Sequence, residues 1–207
     1  VSGPDPLPAE LSESSGAAFS RFHPGVIWTH NDGGHDAALF AVGPDGRLVG
    51  RVSLTGVVNR DWEDMETAPC AGGTCLYLAD TGDNAHRRRS VAIYRLPEPD
   101  PAASAAEGAE VLLGRFPAGP RDVEAIFVLP GEGIHLVTKG SRDPVEVYRF
   151  PTGSPFSAVD QVGGTAAGAV PVLELVQVLD GSRRSLPRQV TGASASPPRD
   201  HVVLRTY

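Results

Sequence analysis

One outline recurs along this chain, and a recurring outline constrains a fold more than any single motif can. Arg60-Asp61-Trp62-Glu63-Asp64-Met65 leads through a Pro/Cys/Gly turn into Leu76-Tyr77-Leu78-Ala79-Asp80. Arg121-Asp122-Val123-Glu124-Ala125-Ile126 leads through Pro130-Gly131-Glu132-Gly133 into Ile134-His135-Leu136-Val137-Thr138-Lys139. Arg188-Gln189-Val190-Thr191-Gly192-Ala193 leads in the same way into His201-Val202-Val203-Leu204-Arg205-Thr206. A degenerate first copy runs from Ser15-Gly16-Ala17-Ala18-Phe19 to Val26-Ile27-Trp28-Thr29-His30-Asn31-Asp32. Such a chain is one supersecondary unit stacked on copies of itself.

Each unit reads as a meander of short strands. The first copy gives Gly16 to Ser20, Val26 to Asp32, Ala38 to Val42 and Arg47 to Leu54. Its last two strands are reversed at Gly43-Pro44-Asp45-Gly46, where Pro presets φ and Gly accepts a positive φ. The second copy gives Trp62 to Thr67, Cys75 to Asp80, Val91 to Leu96 and Val111 to Phe116. The third gives Val123 to Leu129, Ile134 to Thr138, Val145 to Phe150 and Val172 to Val178, and the fourth only Gln189 to Ala195 and His201 to Thr206. Four-stranded antiparallel meanders repeated at about 50 to 65 residues predict an all-β chain, a β-propeller, over a β-sandwich. The expected blades are about 15–56, 60–117, 121–180 and a partial 188–207, after an extended arm over 1–14. About three and a half blades do not close a ring, so the remainder is expected from further chain or from a partner.

Composition excludes several classes. With 24 Gly and 19 Pro among 207 residues, the chain is turn-rich and has no room for long helices. A formal net charge of -7 argues against nucleic-acid binding, which needs clustered Lys and Arg. No apolar run approaches the roughly 20 residues that span a bilayer. A chain beginning at Val1 without Met reads as a mature or trimmed product. Cys70 and Cys75 flank Ala-Gly-Gly-Thr between two strands, a spacing that a disulfide can close across a turn. Reduced thiols are the alternative, whereas a metal site would lack the second Cys/His pair that tetrahedral coordination needs. A disulfide favours an extracellular or periplasmic location.

In a propeller, matching positions of the innermost strands converge on the axis. The repeat then sets Glu63, Glu124 and Thr191 at one level and Asp64, Ala125 and Gly192 beside it, with Asp32, Asp80, Lys139 and Thr206 aligned at the ends of the second strands. Crowded carboxylates repel one another unless a cation or a proton relieves them, and hard oxygen donors suit calcium. Glu63, Asp64, Asp80, Glu124 and Asp32 are therefore the candidate metal ligands. The structural alternative has the glutamates bonding neighbouring backbones, or pairing with Arg60 and Arg121. Asp80-Thr81-Gly82-Asp83-Asn84 has the composition of a calcium loop but lacks EF-hand spacing, so an Asx turn is the plainer account. His30, next but one to Asp32, is either a general base or a hydrogen-bonded packing residue. Lys139 either binds an anion or pairs with a carboxylate. No phosphate loop, nucleophile elbow, His-Glu-x-x-His or dinucleotide fingerprint is present.

Asp-Trp-Glu-Asp-Met and Asp-Val-Glu-Ala-Ile, each followed by an apolar strand ending in a polar residue, resemble the blade pattern of secreted bacterial propellers of the phytase-like and esterase-like group. Six-bladed calcium-dependent lactonases are similar in outline. The resemblance spans about Gly16 to Tyr207. It implies a calcium-holding channel mouth at Glu63, Asp64, Glu124 and Asp80, where the metal activates a phosphate or carboxylic ester; for such chemistry the residues themselves offer His30 as a general base and Lys139 to stabilise developing negative charge. The chain departs from that pattern where Thr191-Gly192 and Lys139 replace acidic positions, which leaves a non-catalytic module binding a protein or glycan as the alternative.

Overall fold

The computed structural model describes residues 7–130, 133–141, 143–159, 169–179, 189–196, 198 and 200–206. All of its regular structure is β: sixteen strands in four sheets, with no helix among the described residues. The segment 1–6 of the expected arm, the turn residues 131–132 and the stretch 180–188 lie outside them.

The first sheet is a meander of β1 (Ser14–Phe19), β2 (Ile27–Asn31), β3 (Ala38–Val42) and β4 (Leu48–Leu54). The second contains β5 (Trp62–Cys70), β6 (Gly73–Asp80) and β7 (Val91–Pro97), then, after β8 (Ala105–Ala106), β9 (Glu110–Gly114). The third contains β10 (Val123–Leu129), β11 (Gly133–Thr138) and β12 (Val145–Arg149), then, after β13 (Ser157–Ala158), β14 (Glu174–Leu179). The fourth pairs β15 (Val190–Ala195) with β16 (Val202–Thr206). The two-residue strands belong to neighbours: β8 lies parallel on the edge of β4, and β13 lies antiparallel on the edge of β9. Each long loop thus covers the outer edge of the preceding sheet, removing unpaired backbone groups that invite aggregation.

These sheets follow one another face to face, rather than forming two layers. Alternation within the second sheet shows it directly. Leu76 and Leu78 join a core with Trp28, Leu39 and Val52 of the first sheet, while Tyr77 and Ala79 join one with Val123, Ile126 and Leu136 of the third. Successive side chains leave opposite faces of a strand, so a sheet with a neighbour on each side buries every residue, and β6 is buried from Cys75 to Asp80. Burying a Leu or Ile side chain contributes roughly 1.5 to 3 kcal/mol. The first strands, β1, β5, β10 and β15, lie innermost and pack in turn: β1 on β5, β5 on β10, and β10 on β15. Among the described residues the series does not close into a ring.

Three local features support this frame. Gly43 N–H donates to the Arg47 carbonyl at 2.8 Å, closing the expected turn before β4. Cys70 and Cys75 are disulfide-bonded across the β5–β6 hairpin, with Cα atoms 5.7 Å apart. Leu11 of the N-terminal segment is buried against Ala38, Phe40 and Val42, so that segment docks on the outer face of the first sheet.

Candidate metal centre

Every innermost strand carries a β-bulge at the same place. Pairing jumps from Trp62 opposite Asp80 to Asp64 opposite Ala79, leaving Glu63 unmatched. It jumps likewise past Glu124, past Thr191 and past Ser15-Gly16. A bulge re-aims a side chain out of the ladder. Ser15, Glu63, Glu124 and Thr191 accordingly line one open pocket of about 260 Å³, with Glu13, Asp32, Asn84, Lys139 and Arg205 around them.

Two acidic residues that the sequence reading passed over complete the cluster. Asp61 and Asp122 stand two positions before the bulged glutamates, and their carbonyls accept from the Thr81 and Lys139 amides at 3.1 and 3.0 Å. Carboxylate oxygens of Asp32, Asp61 and Glu63 all lie within 4.8 Å of one another, and so do those of Glu63, Asp122 and Glu124. These are five carboxylates in or beside the strands of three sheets, with Glu63 common to both groups. Gly82 makes the approach feasible, because a Cβ there would strike the Glu63 carboxylate and come within 2.6 Å of Asp61 Oδ2. The buried acidic groups can hold a metal ion.

Glu63 is only 5% exposed, and no described residue donates a hydrogen bond to its carboxylate. Burial first, then the charges of Glu124, Asp32, Asp61 and Asp122, push its pKa up to about 9. Asp61 is raised as well, by burial and then by Asp32. Glu124 is raised by burial even though Lys139 opposes the shift with a hydrogen bond of 2.6 Å. Burial works against the Lys139 charge, but Glu124, Asp122 and Glu63 together lift its pKa above the ordinary lysine value. Three of the five carboxylates, Asp61, Glu63 and Glu124, are thus held as weakened acids near one another, with Lys139 bonded to only one of them. Hard oxygen donors of this kind suit a cation that takes oxygen ligands.

The other residues singled out from the sequence lie elsewhere. Asp64 turns away from the pocket's carboxylates, and its Oδ2 accepts from the amides of Ile126 at 2.9 Å and Ala193 at 3.1 Å. Burial raises its pKa to about 7 against the pull of those amides and that of Met65. Asp80 pairs with Arg88 at 2.7 Å, while its Oδ2 is buried without a partner among the described residues. Strand pairing explains the separation: Asp80 is level with Asn31, Thr138 and Thr206, one residue short of Asp32 and Lys139. One residue along a strand is the opposite face.

His30 is fully buried, edge-on to Trp62 with ring centroids 5.4 Å apart. Its Nδ1 lies 3.0 Å from the Asn31 carbonyl, and burial lowers its pKa, so the ring is held neutral outside the pocket. Arg121 pairs with Glu146 at 2.7 Å rather than with Glu124. Asp83 accepts from the Arg87 and Arg88 amides at 2.8 Å each, so the Asp80 to Asn84 stretch is a hydrogen-bonded turn. Asp61 and Asp122 did leave a signal in the sequence: Arg-Asp-x-Glu stands at the head of both the second and third copies.

No protein-family model matches the chain, and a search of curated proteins returns none similar to it.

Proposed function

We propose that this protein is a secreted β-propeller that binds a calcium ion in its acidic mouth and, beside that ion, an anionic small molecule such as a phosphate or carboxylic ester. One observation carries the reading: four carboxylates cluster around Glu63, which is buried with no donor among the described residues and lines an open pocket together with Asp32 and Glu124. Uncompensated carboxylates in so small a space favour a cation that accepts many oxygens in flexible geometry. The propeller reading is supported by sheets packed in series, innermost strands in contact, and loops that cover each preceding edge. Secretion is supported by the Cys70–Cys75 disulfide, which persists in oxidising compartments.

A bound calcium ion would act as a Lewis acid on an ester or phosphoryl oxygen. The chain's own residues supply binding: Lys139 and Arg205 present cations to an anionic ligand, and the hydroxyl-bearing Ser14, Ser15 and Thr191 line the same pocket. A second reading, a calcium-dependent module that binds a protein or glycan without catalysis, is favoured by the sealed position of His30, which leaves no histidine in the pocket to move a proton. The test is hydrolysis of generic phosphate and carboxylic esters with calcium and with chelator, beside the melting temperature in both. Calcium-dependent turnover supports the hydrolase. Stabilisation by calcium without turnover supports the module, and indifference of both to calcium removes the metal.

A further inference from the structure

The mouth already contains a cation of its own. Lys139 Nζ lies 2.6 Å from Glu124 Oε1, 3.7 Å from Asp122 Oδ2 and 3.3 Å from Asn84 Oδ1. Its backbone is fixed at both ends, the amide donating to the Asp122 carbonyl and the carbonyl accepting from the Val190 amide at 2.9 Å. Its stem therefore delivers the ammonium to one of the two carboxylate groups only. In the other, no described residue forms an ion pair with Asp32, Asp61 or Glu63, although Glu63 is buried and faces the pocket.

We infer that Lys139 is a tethered cation standing in for a second metal ion, so that the mouth takes one divalent ion, at Asp32, Asp61 and Glu63, instead of two. The inference rests on the proposed reading of the mouth as a cation site. Two ions sharing Glu63 would sit only a few ångströms apart, and their repulsion is relieved when one is replaced by a monovalent group held by its own chain. An ammonium is a compact point charge on a flexible stem, suited to the place of a metal in a way the planar guanidinium of arginine is not. The arrangement also fixes which ligands matter to the bound ion. Asp32 and Asp61 coordinate it, whereas Asp122 and Glu124 hold the lysine.

Calcium stoichiometry, measured by titration calorimetry and equilibrium dialysis on the full chain, tests this without any assay of activity. The wild-type protein should bind one calcium ion per chain, and Lys139→Met should bind two. Asp32→Asn should lose the wild-type ion, while Asp122→Asn should retain it with affinity changed less than tenfold. The two aspartate variants decide the matter should Lys139→Met fail to fold. Two ions in the wild-type chain, one in a folded Lys139→Met, or greater sensitivity to Asp122→Asn than to Asp32→Asn would each overturn the role of the lysine while leaving a cation site in place. No binding by any variant overturns both this inference and the cation site.

Discussion

Glu63 and Asp64 are neighbours in sequence and opposites in environment. Both are carboxylates on an innermost strand, both are buried, and burial is the largest influence raising the pKa of each. Asp64 faces the backbone of other sheets and receives amides from β10 and β15. Glu66, on the same side of β5, likewise accepts from the Ala195 amide at 3.2 Å. Glu63, thrown out of register by the bulge, faces four more carboxylates. Asp64 meets fixed backbone dipoles, whereas Glu63 meets only other carboxylates and receives no hydrogen bond from a described residue. The difference teaches that carboxylates at adjacent positions can hold sheets together or crowd against other carboxylates, and that the bulge decides which.

The largest expected effect tests the axis. Asp64→Ala leaves the buried Ile126 amide and the partly buried Ala193 amide without this acceptor, each at about 1 to 3 kcal/mol, so denaturant unfolding should show a loss of about 2 to 6 kcal/mol. That loss should be the same in calcium and in chelator. A calcium-dependent loss would merge the two regions and break the comparison.

Next comes the mouth. Calcium at about a hundred times its dissociation constant should stabilise the protein by about 2.7 kcal/mol, and Glu63→Gln should remove most of that gain. The pH dependence carries the opposite sign to that of a paired carboxylate. Glu63 ionises near 4.5 in the unfolded chain and near 9 in the folded one, so the folded state holds the proton over the interval between. In chelator, stability should be greatest below about pH 4.5 as far as this group is concerned and should fall as pH climbs toward 9. Melting curves across that range should flatten in Glu63→Gln, and a wild-type profile without the decline would show the carboxylate already compensated.

A smaller effect is expected where β1 meets β5. A Cβ at Gly16 would lie 2.7 Å from the Asp64 Cα and 2.7 Å from His30 Nε2. Gly16→Ala should therefore cost about 1 to 3 kcal/mol by overpacking, again with no dependence on calcium.

How far the sequence revealed these two regions follows from what repeats. Apolar alternation marks strands, and the copies share it, so β5, β6, β10 and β11 were legible to within a few residues. Glu63, Glu124 and Thr191 were set level because each follows the same lead-in, and all three line the pocket. Asp80 was set level with Asp32 and Lys139 because each ends an apolar run. Strand pairing places it one residue earlier and on the other face. The bulge is common to all four copies and shifts none against another; the second copy reaches its acidic residue one position before the first copy reaches Asp32 or the third Lys139, and nothing local to Asp80 records that. Lys139 illustrates the same limit: pairing with a carboxylate was one of its two readings, but which carboxylate depends on strands that are distant in sequence.

The smallest effect decides where the mouth ends. Asp83 belongs to a stretch whose composition resembles a calcium loop, and its position beside Asn84 and Asp122 would suit a ligand. Its carboxylate, however, already accepts from the Arg87 and Arg88 amides, and its own amide donates to Asp122 Oδ1 at 2.8 Å. A carboxylate occupied by two turn amides is not free to ligate, and losing such hydrogen bonds costs on the order of 1 kcal/mol. Asp83→Ala should lower stability by about that amount in chelator and in calcium alike, leaving the calcium-dependent gain unchanged. If it instead abolishes that gain, Asp83 belongs with Glu63 rather than with Asp64, and the division between carboxylates satisfied by amides and those crowded by other carboxylates has to be redrawn through the turn.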